Sequence, residues 1–241
     1  MDFKLIYEDN DLLVIDKPAG VVVFPEGLPA QTGKTTESTL IDFLLQKYPE
    51  LKNTGEPPRY GIVHRLDKDT SGILLVAKST ETLIFLQKQF KNREVEKKYI
   101  ALATGVIKEE SGVIETLIGR SPADPRKQKA YPIEVESSKL KVKRNAITEY
   151  KVLDRLNEYT LLQVQIKTGR KHQIRCHLAH IHHPIAGDKM YGFKDSPTPE
   201  GLTRQFLHSS YLKVQLLSGK VQEFNSDLPE ELKKVLDNLK S

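Results

Sequence analysis

A polar loop between two apolar stretches carries residue types that suit catalysis. Residues 64–72 include Asp67 and Asp69, with the cations Arg65 and Lys68 beside them. A carboxylate next to these cations stays ionised and can act as a nucleophile or a base. The same residues also suit a simple Asx-turn, so the loop alone leaves both interpretations open.

A second candidate segment combines positive charge with histidine. Residues 159–187 contain no acidic residue. Their basic and histidine side chains are Lys167, Arg170, Lys171, His172, Arg175, His177, His180, His182 and His183. Pairing with an anion is the favoured use, because the spacing is not that of a His-Glu-x-x-His zinc motif and the cations repel a divalent metal. We therefore expect no metal site here.

Positive charge also collects in a second block that lacks acids. This block consists of Lys139, Lys141, Lys143 and Arg144. Two single-sign patches on a chain of net charge +5 favour a surface that meets polyanions such as RNA, although a solvated basic face explains the charges equally well. The glycine-rich patterns of phosphate loops, dinucleotide-binding folds and α/β-hydrolases are absent, so these activities lose their main support.

Composition places the chain among globular proteins. It has 241 residues, of which 38% are hydrophobic and 29% are charged. No apolar run approaches the roughly 18 residues of a membrane span, and the N-terminus lacks the apolar centre of a secretory signal. The single cysteine, Cys176, cannot form an internal disulfide. We therefore expect a cytoplasmic protein.

The elements that position these segments are short strands and amphipathic helices. Hydrophobic spacing predicts strands at 5–7, 12–15, 21–23, 61–64, 73–78, 95–103, 112–118, 142–153, 159–166, 205–207, 211–217 and 221–224. It predicts helices at 36–48, 79–91, 169–181 and 229–239, and an exposed loop at 122–132. Because many of the strands adjoin through short turns, the expected class is α+β around a mainly antiparallel sheet.

Three segments, in order along the chain, resemble motifs of the RluA family of RNA pseudouridine synthases. Residues 61–72 (GIVHRLDKDTSG) resemble the catalytic motif, residues 97–101 (KKYIA) the tyrosine motif, and residues 168–179 (TGRKHQIRCHLA) the arginine motif. Residues 10–23, 183–188 and 207–208 also fit the family pattern. The resemblance therefore covers nearly the whole chain.

The resemblance implies roles for individual residues. Asp67 would be the catalytic nucleophile, Tyr99 would lie against the target base, and Arg175 would pair with Asp67. The residues expected to contact RNA are His64, Arg65, Arg170, Lys171 and His172, and Arg65 would help to displace the uridine from its stack. The implied reaction turns uridine into its carbon-linked isomer, and it needs no cofactor and no metal.

The resemblance also implies an architecture and a substrate class. Residues 1–241 would form one catalytic domain with the pseudouridine synthase fold, in which a mixed, mainly antiparallel sheet in two halves surrounds a central catalytic cleft. The expected substrate is 23S ribosomal RNA, transfer RNA or both, and the expected state is a monomer. The chain starts directly with catalytic-domain strands, so we expect no N-terminal accessory RNA-binding domain. Phe24-Pro25 occupies a place where relatives usually have His-Pro.

Two other functions compete with this interpretation. A non-catalytic RNA-binding protein, such as a ribosome assembly factor, would not need an intact Asp67, Tyr99 and Arg175. A metal-dependent phosphodiesterase built on the histidine cluster would require metal in the purified protein.

Overall fold

The computed structural model describes residues 3–25, 38–133 and 143–240, which belong to two compact units. The first unit comprises Met1–Val95 and Tyr211–Ser226, and the second comprises Glu96–Ser210 and Asp227–Ser241. Lys139 and Lys141 of the second basic block lie outside the described residues. The expected cleft and the single-domain assignment 1–241 stay predictions.

The first unit packs an antiparallel sheet against a helix. Its elements are β1 (Lys4–Glu8), β2 (Leu12–Lys17), α1 (Leu40–Lys47), a 3-10 helix (Pro49–Asn53), β3 (Ser71–Ala77), α2 (Thr80–Asn92) and β10 (Val221–Asn225). β2 pairs antiparallel with both β1 and β3, and β10 pairs with the end of β9 (Leu207–Gln215). Leu83 and Leu86 of α2 pack against apolar side chains of β2, β3 and β9 in a continuous core.

The second unit is built on a larger antiparallel sheet. Its elements are β4 (Glu96–Thr104), β5 (Ser111–Arg120), β6 (Gln128–Tyr131), β7 (Arg144–Leu156), β8 (Tyr159–Ile166), α3 (Gln173–His180) and α4 (Glu230–Lys240), with the start of β9. The five strands lie in the order β4-β8-β7-β5-β6. All of their pairings are antiparallel, so the predicted α+β class with a mainly antiparallel sheet is confirmed.

Two predicted strands do not form. The residues 21–23 are irregular because the carbonyls of Val22 and Val23 accept hydrogen bonds from the first amides of α1, Leu40 and Ile41, at 2.8 and 3.0 Å. The residues 61–64 form a turn with one isolated bridge, Ile62 to Val76. Val23 and Ile62 are buried, whereas Val21, Val22 and Val63 are only partly buried. The backbone of 21–23 therefore binds a helix instead of a strand, and that of 61–63 contacts β3 at isolated points, since Val63 donates to Leu75 at 3.4 Å and Gly61 accepts from Ala77 at 2.8 Å.

Other element boundaries also differ from the predictions. β6 lies within the predicted loop 122–132. Of the strand predicted at 205–207 only Leu207 is in a strand, because β9 begins there and runs to Gln215, covering most of the strand predicted at 211–217. The helix predicted at 169–181 begins only at Gln173, because His172 has a φ of +55°, in the left-handed region. Among the described residues, no helix has the length and apolar character needed to cross a membrane.

The space between α3 and the second sheet is filled by a small apolar cluster. Cys176 packs there with Ile118, Ala130, Ala146 and Tyr191. Burial raises the pKa of the Cys176 thiol to about 12. The cysteine is therefore a core residue whose proton stays bound at neutral pH.

His177 of α3 is enclosed between two threonines of the sheet. Its Nε2 lies 3.0 Å from the hydroxyl of Thr116 and its Nδ1 lies 2.8 Å from the hydroxyl of Thr148. Burial lowers the pKa of His177 from 6.5 to about 4, and the charge of His180 adds to this effect. The histidine therefore stabilises the core as a neutral, hydrogen-bonded ring.

The burial of His177 predicts an acid-sensitive fold. Below about pH 6.5 the unfolded chain protonates this histidine, whereas the folded chain does so only near pH 4, so stability falls as the pH decreases across this window. In His177→Gln this loss should shrink by up to about 3 kcal/mol between these limits, measured by urea unfolding at several pH values. His182 is exposed, so His182→Gln is the matched change that removes a histidine without removing a buried ring, and equal pH profiles for the two variants would contradict the prediction.

Candidate active site

Asp67 lies on the turn that leads into β3. The preceding residue, Leu66, is buried, whereas Asp67 itself is half-buried. The amide of Thr70 donates to the carbonyl of Asp67 at 3.1 Å, and Ser71 then begins β3. The carboxylate that sequence analysis selects is thus carried by a short turn directly before a fully buried strand.

A buried lysine anchors this turn. Lys17, at the end of β2, is 0% exposed, and its ammonium donates to the carbonyls of Pro18, Val21 and Lys68 at 2.7, 2.9 and 3.0 Å. A buried ammonium is costly unless its hydrogens are bound, and here backbone oxygens from three positions bind it. The residue after Asp67 is therefore tied to the β2 end of the sheet.

The segment before Asp67 is fixed to β3 as well. His64 stacks on Phe90 with ring centroids 4.8 Å apart, and its Nε2 accepts a hydrogen bond from the amide of Leu75 at 3.1 Å. At Gly61 a side chain is excluded, because a Cβ atom would lie 2.1 Å from the carbonyl oxygen of Ala77. His64 therefore helps to hold this segment against β3 and α2. Its contact with RNA stays a prediction.

Phe24 organises two arginines in the first unit. Its ring is buried, and the guanidinium carbons of Arg59 and Arg65 lie 4.9 and 5.2 Å from its centroid. Cation–π contact restricts a guanidinium to the face of the ring. Phe24 therefore positions Arg65, the residue predicted to displace the uridine.

Tyr99 is held in the middle of β4. It pairs with Val164 of β8 and is almost fully buried. Lys97, two residues earlier, lies on the same face of the strand and is also buried, and burial lowers its pKa from 10.5 to about 8. The buried face of β4 therefore combines the predicted base-contacting tyrosine with a lysine whose pKa is close to neutral.

Arg175 of α3 forms a bidentate ion pair with Asp188. Its Nε donates to Oδ2 of Asp188 at 2.7 Å, and its Nη2 donates to Oδ1 at 2.9 Å. The arginine side chain is 7% exposed and the carboxylate 0%. Two parallel hydrogen bonds fix both the direction and the plane of the guanidinium.

The turn after α3 prepares Asp188 for this contact. Oδ1 of Asp188 also accepts the amides of Met190 and Tyr191 at 2.9 and 3.0 Å. Burial opposes ionisation of Asp188, but the hydrogen bonds and the charge of Arg175, with those two amides, hold its pKa below the usual range. Gly187 has a φ of +74°, and a Cβ there would lie 2.3 Å from the carbonyl oxygen of Arg204. Only glycine fits at this position, directly before Asp188.

Tyr191 connects Arg175 to its surroundings. The guanidinium carbon of Arg175 lies 5.1 Å from the Tyr191 ring centroid. The hydroxyl oxygen of Tyr191 accepts the amide of Gln128 at 2.6 Å and lies 3.1 Å from Nδ1 of His172. The tyrosine therefore supports the guanidinium with its ring and binds β6 with its hydroxyl.

The other predicted RNA-contacting residues precede α3. Arg170 donates from Nε to the carbonyl of Asn145 at 3.0 Å, and Lys171 is exposed. His183, in the cluster that suggested a metal site, donates from Nδ1 to the carbonyl of Thr104 at 2.9 Å. Among the residues that the structure describes, no group of three or more His, Cys, Asp or Glu side chains is arranged to hold a metal ion.

The predicted site residues divide between the two units. His64, Arg65 and Asp67 belong to the first, and Tyr99 and Arg175 to the second. Arg170, Lys171 and His172 also belong to the second unit. The pairing of Asp67 with Arg175 stays a prediction.

Sequence reasoning missed the supporting residues. It gave no role to Lys17, Phe24, Asp188 or Tyr191. A signal for Asp188 is present, because it is the first acid after the acid-free window 159–187 that contains Arg175. The others are recognisable only once the chain is folded.

Comparison with known proteins identifies relatives over most of the chain. Residues 11–180 match the family model described as RNA pseudouridylate synthase. An "uncharacterized RNA pseudouridine synthase" of Aquifex aeolicus is 43% identical over 201 residues, covering 83% of this chain and 59% of that protein. The "ribosomal large subunit pseudouridine synthase D" of Nitrosomonas europaea is 38% identical over 248 residues, covering 99% of this chain and 65% of that protein. The chain thus spans less than two thirds of the length of these two relatives.

A solved structure shows the same fold. The structure titled "Human RNA Pseudouridylate Synthase Domain Containing 4" has a TM-score of 0.77 and 25% sequence identity, covering 98% of this chain and 92% of the human one. The predicted pseudouridine synthase fold is confirmed by this likeness.

The ion pair of Arg175 and Asp188 predicts a large effect of a small change. Asp188→Asn should lower the free energy of unfolding by roughly 3 kcal/mol, because it leaves a buried guanidinium without its counter-charge. The control is Asp154→Asn, which removes a surface contact of 3.7 Å to Lys240 and should cost less than about 1 kcal/mol. Urea unfolding at neutral pH measures both, and equal losses would show that Asp188 does not compensate a buried charge.

Proposed function

We propose that this chain converts uridines of RNA into pseudouridine, because it belongs to the family of RNA pseudouridylate synthases. The observation that carries the proposal is the family match over residues 11–180, which contains Asp67, Tyr99 and Arg175 intact. The reaction breaks the glycosidic bond, turns the uracil and rejoins it to the sugar through carbon 5. It consumes no group and changes no redox state, so the proposal needs no cofactor.

Asp67 is the proposed catalytic carboxylate. It can form a covalent bond to the sugar or the base, or it can remove a proton from the sugar, and both routes require an ionised and accurately placed side chain. The anchored turn supports this role, because Lys17 holds the carbonyl of Lys68 and Thr70 binds the carbonyl of Asp67. A rigid turn limits the reorganisation needed when the base arrives.

Arg175 is the proposed partner of Asp67. A guanidinium remains charged at any working pH and keeps a neighbouring carboxylate ionised. Its bidentate contact with Asp188 supports this role, because the guanidinium plane is set before substrate binds. A lysine at this position would keep the charge but would lose the defined plane.

Tyr99 and Arg65 are the proposed base-handling residues. Tyr99 offers a flat ring for stacking against uracil and a hydroxyl for proton transfer. Arg65 is proposed to help to displace the uridine, which must leave its stack to reach an enclosed carboxylate. The contact of its guanidinium with Phe24 supports a fixed starting position for that step.

Structured RNA is the proposed substrate, with 23S ribosomal RNA and transfer RNA as the candidates. The name of the Nitrosomonas europaea relative refers to the large ribosomal subunit, which supports a uridine of 23S RNA as the first to test. His64, Arg170, Lys171 and His172 are the proposed RNA contacts within the motifs. The proposed setting is the cytoplasm, and the proposed active state is a monomer.

The experiment that tests the function compares RNA modification with and without the carboxylate. RNA from the source organism is sequenced after carbodiimide treatment, which marks pseudouridine, in the wild type, a deletion strain and an Asp67→Asn strain. One or a few sites should disappear in both mutants and persist in Asp69→Asn, the matched change two residues further along the same loop. If no site changes in any strain, the result rejects the proposed function and favours a protein that binds RNA without modifying it, as an assembly factor would.

A second experiment tests the role of Arg175. Arg175→Lys keeps the positive charge but cannot make the bidentate contact with Asp188, so turnover should fall by about a hundredfold while RNA affinity changes little. Release of tritium from uridine labelled at carbon 5 measures kcat and KM on the substrate identified by sequencing. A near-wild-type kcat would show that the plane of the guanidinium is not important for the reaction.

A further inference from the structure

One face of the strands β6, β5 and β7 combines like charges with hydrogen-bonding groups that lack partners. Tyr131, Leu117 and Asn145 lie in one row across these three strands, so their side chains share a face. Lys129 is two residues before Tyr131 on β6, and Lys143 is two residues before Asn145. Ala130 points the opposite way, into the core cluster.

Two ammonium groups meet at the ring of Tyr131. The Nζ atoms of Lys129 and Lys143 lie 5.3 and 2.8 Å from its centroid. The ring attracts both cations, but it does not neutralise them. Burial of the Lys143 ammonium, together with the charge of Lys129, lowers the pKa of Lys143. The carboxylate of Glu115, two residues before Leu117 on this face, is bound by Asn145, and neither ammonium forms an ion pair within the described part of the chain.

Two polar atoms on this face have no hydrogen-bond partner, and one of them is a donor whereas the other is an acceptor. Within the described part of the chain, Nζ of Lys143 has no acceptor and Oδ1 of Asn145 has no donor. The orientation of the Asn145 amide follows from its other end, since Nδ2 donates to the carboxylate of Glu115 at 3.0 Å. A partner that satisfies both atoms must therefore offer an anionic acceptor and a neutral donor.

RNA carries this pair of groups at every nucleotide. A phosphate oxygen accepts from an ammonium, and the ribose 2′-hydroxyl donates to an amide oxygen, whereas DNA lacks that hydroxyl. The surroundings also suit a polyanion. The hairpin that joins β5 to β6 has four cations, Arg120, Arg126, Lys127 and Lys129, against one acid, Asp124, which is bound by Arg126 at 2.8 Å.

We propose that the face formed by Lys129, Tyr131, Lys143 and Asn145 binds the ribose–phosphate backbone of the RNA substrate. Both atoms are shielded from solvent in this structure, so binding requires the flexible Lys143 chain to turn from the ring to a phosphate oxygen. Oδ1 of Asn145, uncovered by that movement, then accepts the neighbouring 2′-hydroxyl. The inference rests on the proposed function, because it takes RNA as the partner. It adds a binding surface that reads the backbone and carries no sequence specificity.

The charge of this face is tested by RNA binding at several salt concentrations. The probe is a fluorescein-labelled, uridine-containing RNA hairpin, and fluorescence anisotropy gives the Kd. Each lysine that meets a phosphate should contribute about 1 to the slope of log affinity against log salt, so Lys129→Gln with Lys143→Gln should reduce the slope by about 2. The arginine pair, Lys129→Arg with Lys143→Arg, should keep the wild-type slope.

A matched pair of lysines separates a specific surface from general charge. Lys88→Gln with Lys91→Gln removes the same charge from the exposed side of α2 and should leave the slope nearly unchanged. An unaltered slope in the Lys129 and Lys143 variant would overturn the proposal, as would equal reductions in the two glutamine variants. Circular dichroism melting curves confirm that each variant is folded before its Kd is used.

The 2′-hydroxyl contact is tested by comparing RNA with a DNA hairpin of the same sequence. Asn145→Ala should weaken RNA binding about fivefold, the size of one hydrogen bond, and leave DNA binding unchanged. Asn92→Ala, at the exposed end of α2, should affect neither. Equal effects of Asn145→Ala on both hairpins would remove Asn145 from the proposal.

These binding measurements do not depend on turnover. A reduced slope in a protein that modifies no uridine would support the surface and reject the proposed function. Normal uridine modification by the wild type, with an unaltered slope in the Lys129 and Lys143 variant, would support the proposed function and reject the surface.

Discussion

Burial of the Arg175 guanidinium is the constraint on which the second unit's site depends. A charge removed from water must be matched by a partner of good geometry, and Asp188 supplies both a counter-charge and two parallel acceptors. Asp188 can do so because Gly187 permits the close approach to Arg204 and the following amides bind the same carboxylate. The helix α3, the turn after it and the ring of Tyr191 are thereby held to one arrangement around a single cation.

The first unit solves a similar problem with neutral groups. Lys17 is even more deeply buried than Arg175, but backbone carbonyls of Pro18, Val21 and Lys68 satisfy its ammonium. Carbonyl dipoles bind the three hydrogens of an ammonium without fixing a plane, which suits a point anchor for a turn. A guanidinium needs the planar fork that a carboxylate offers. The two cations therefore differ in type because one holds backbone in place and the other must itself be oriented.

Sequence reasoning succeeded where the pattern is local and failed where distant groups decide. The α+β class, the buried strand β3 and the buried face of β4 follow from hydrophobic periodicity. The strand predicted at 21–23 fails because the amides of Leu40 and Ile41 bind its carbonyls, and β6 was missed because its few apolar residues pair only with β5. The roles of Asp67, Tyr99 and Arg175 come from resemblance to motifs and stay predictions. The contact of Phe24 with Arg65 and that of Tyr191 with Arg175 join residues that are distant in sequence, so no local pattern encodes them.

Because of the position of Cys176, the folded protein has no thiol that reacts readily with thiol reagents. It is the chain's single cysteine, it lies among apolar side chains of the second core, and its pKa of about 12 keeps it protonated at neutral pH. Only a thiolate attacks maleimides, disulfides or peroxides at useful rates, so the native chain is nearly inert to them while folded. A cysteine introduced on the surface would then be the reactive one. Spin labels or fluorophores can therefore be attached at chosen positions of either unit without first removing a native residue.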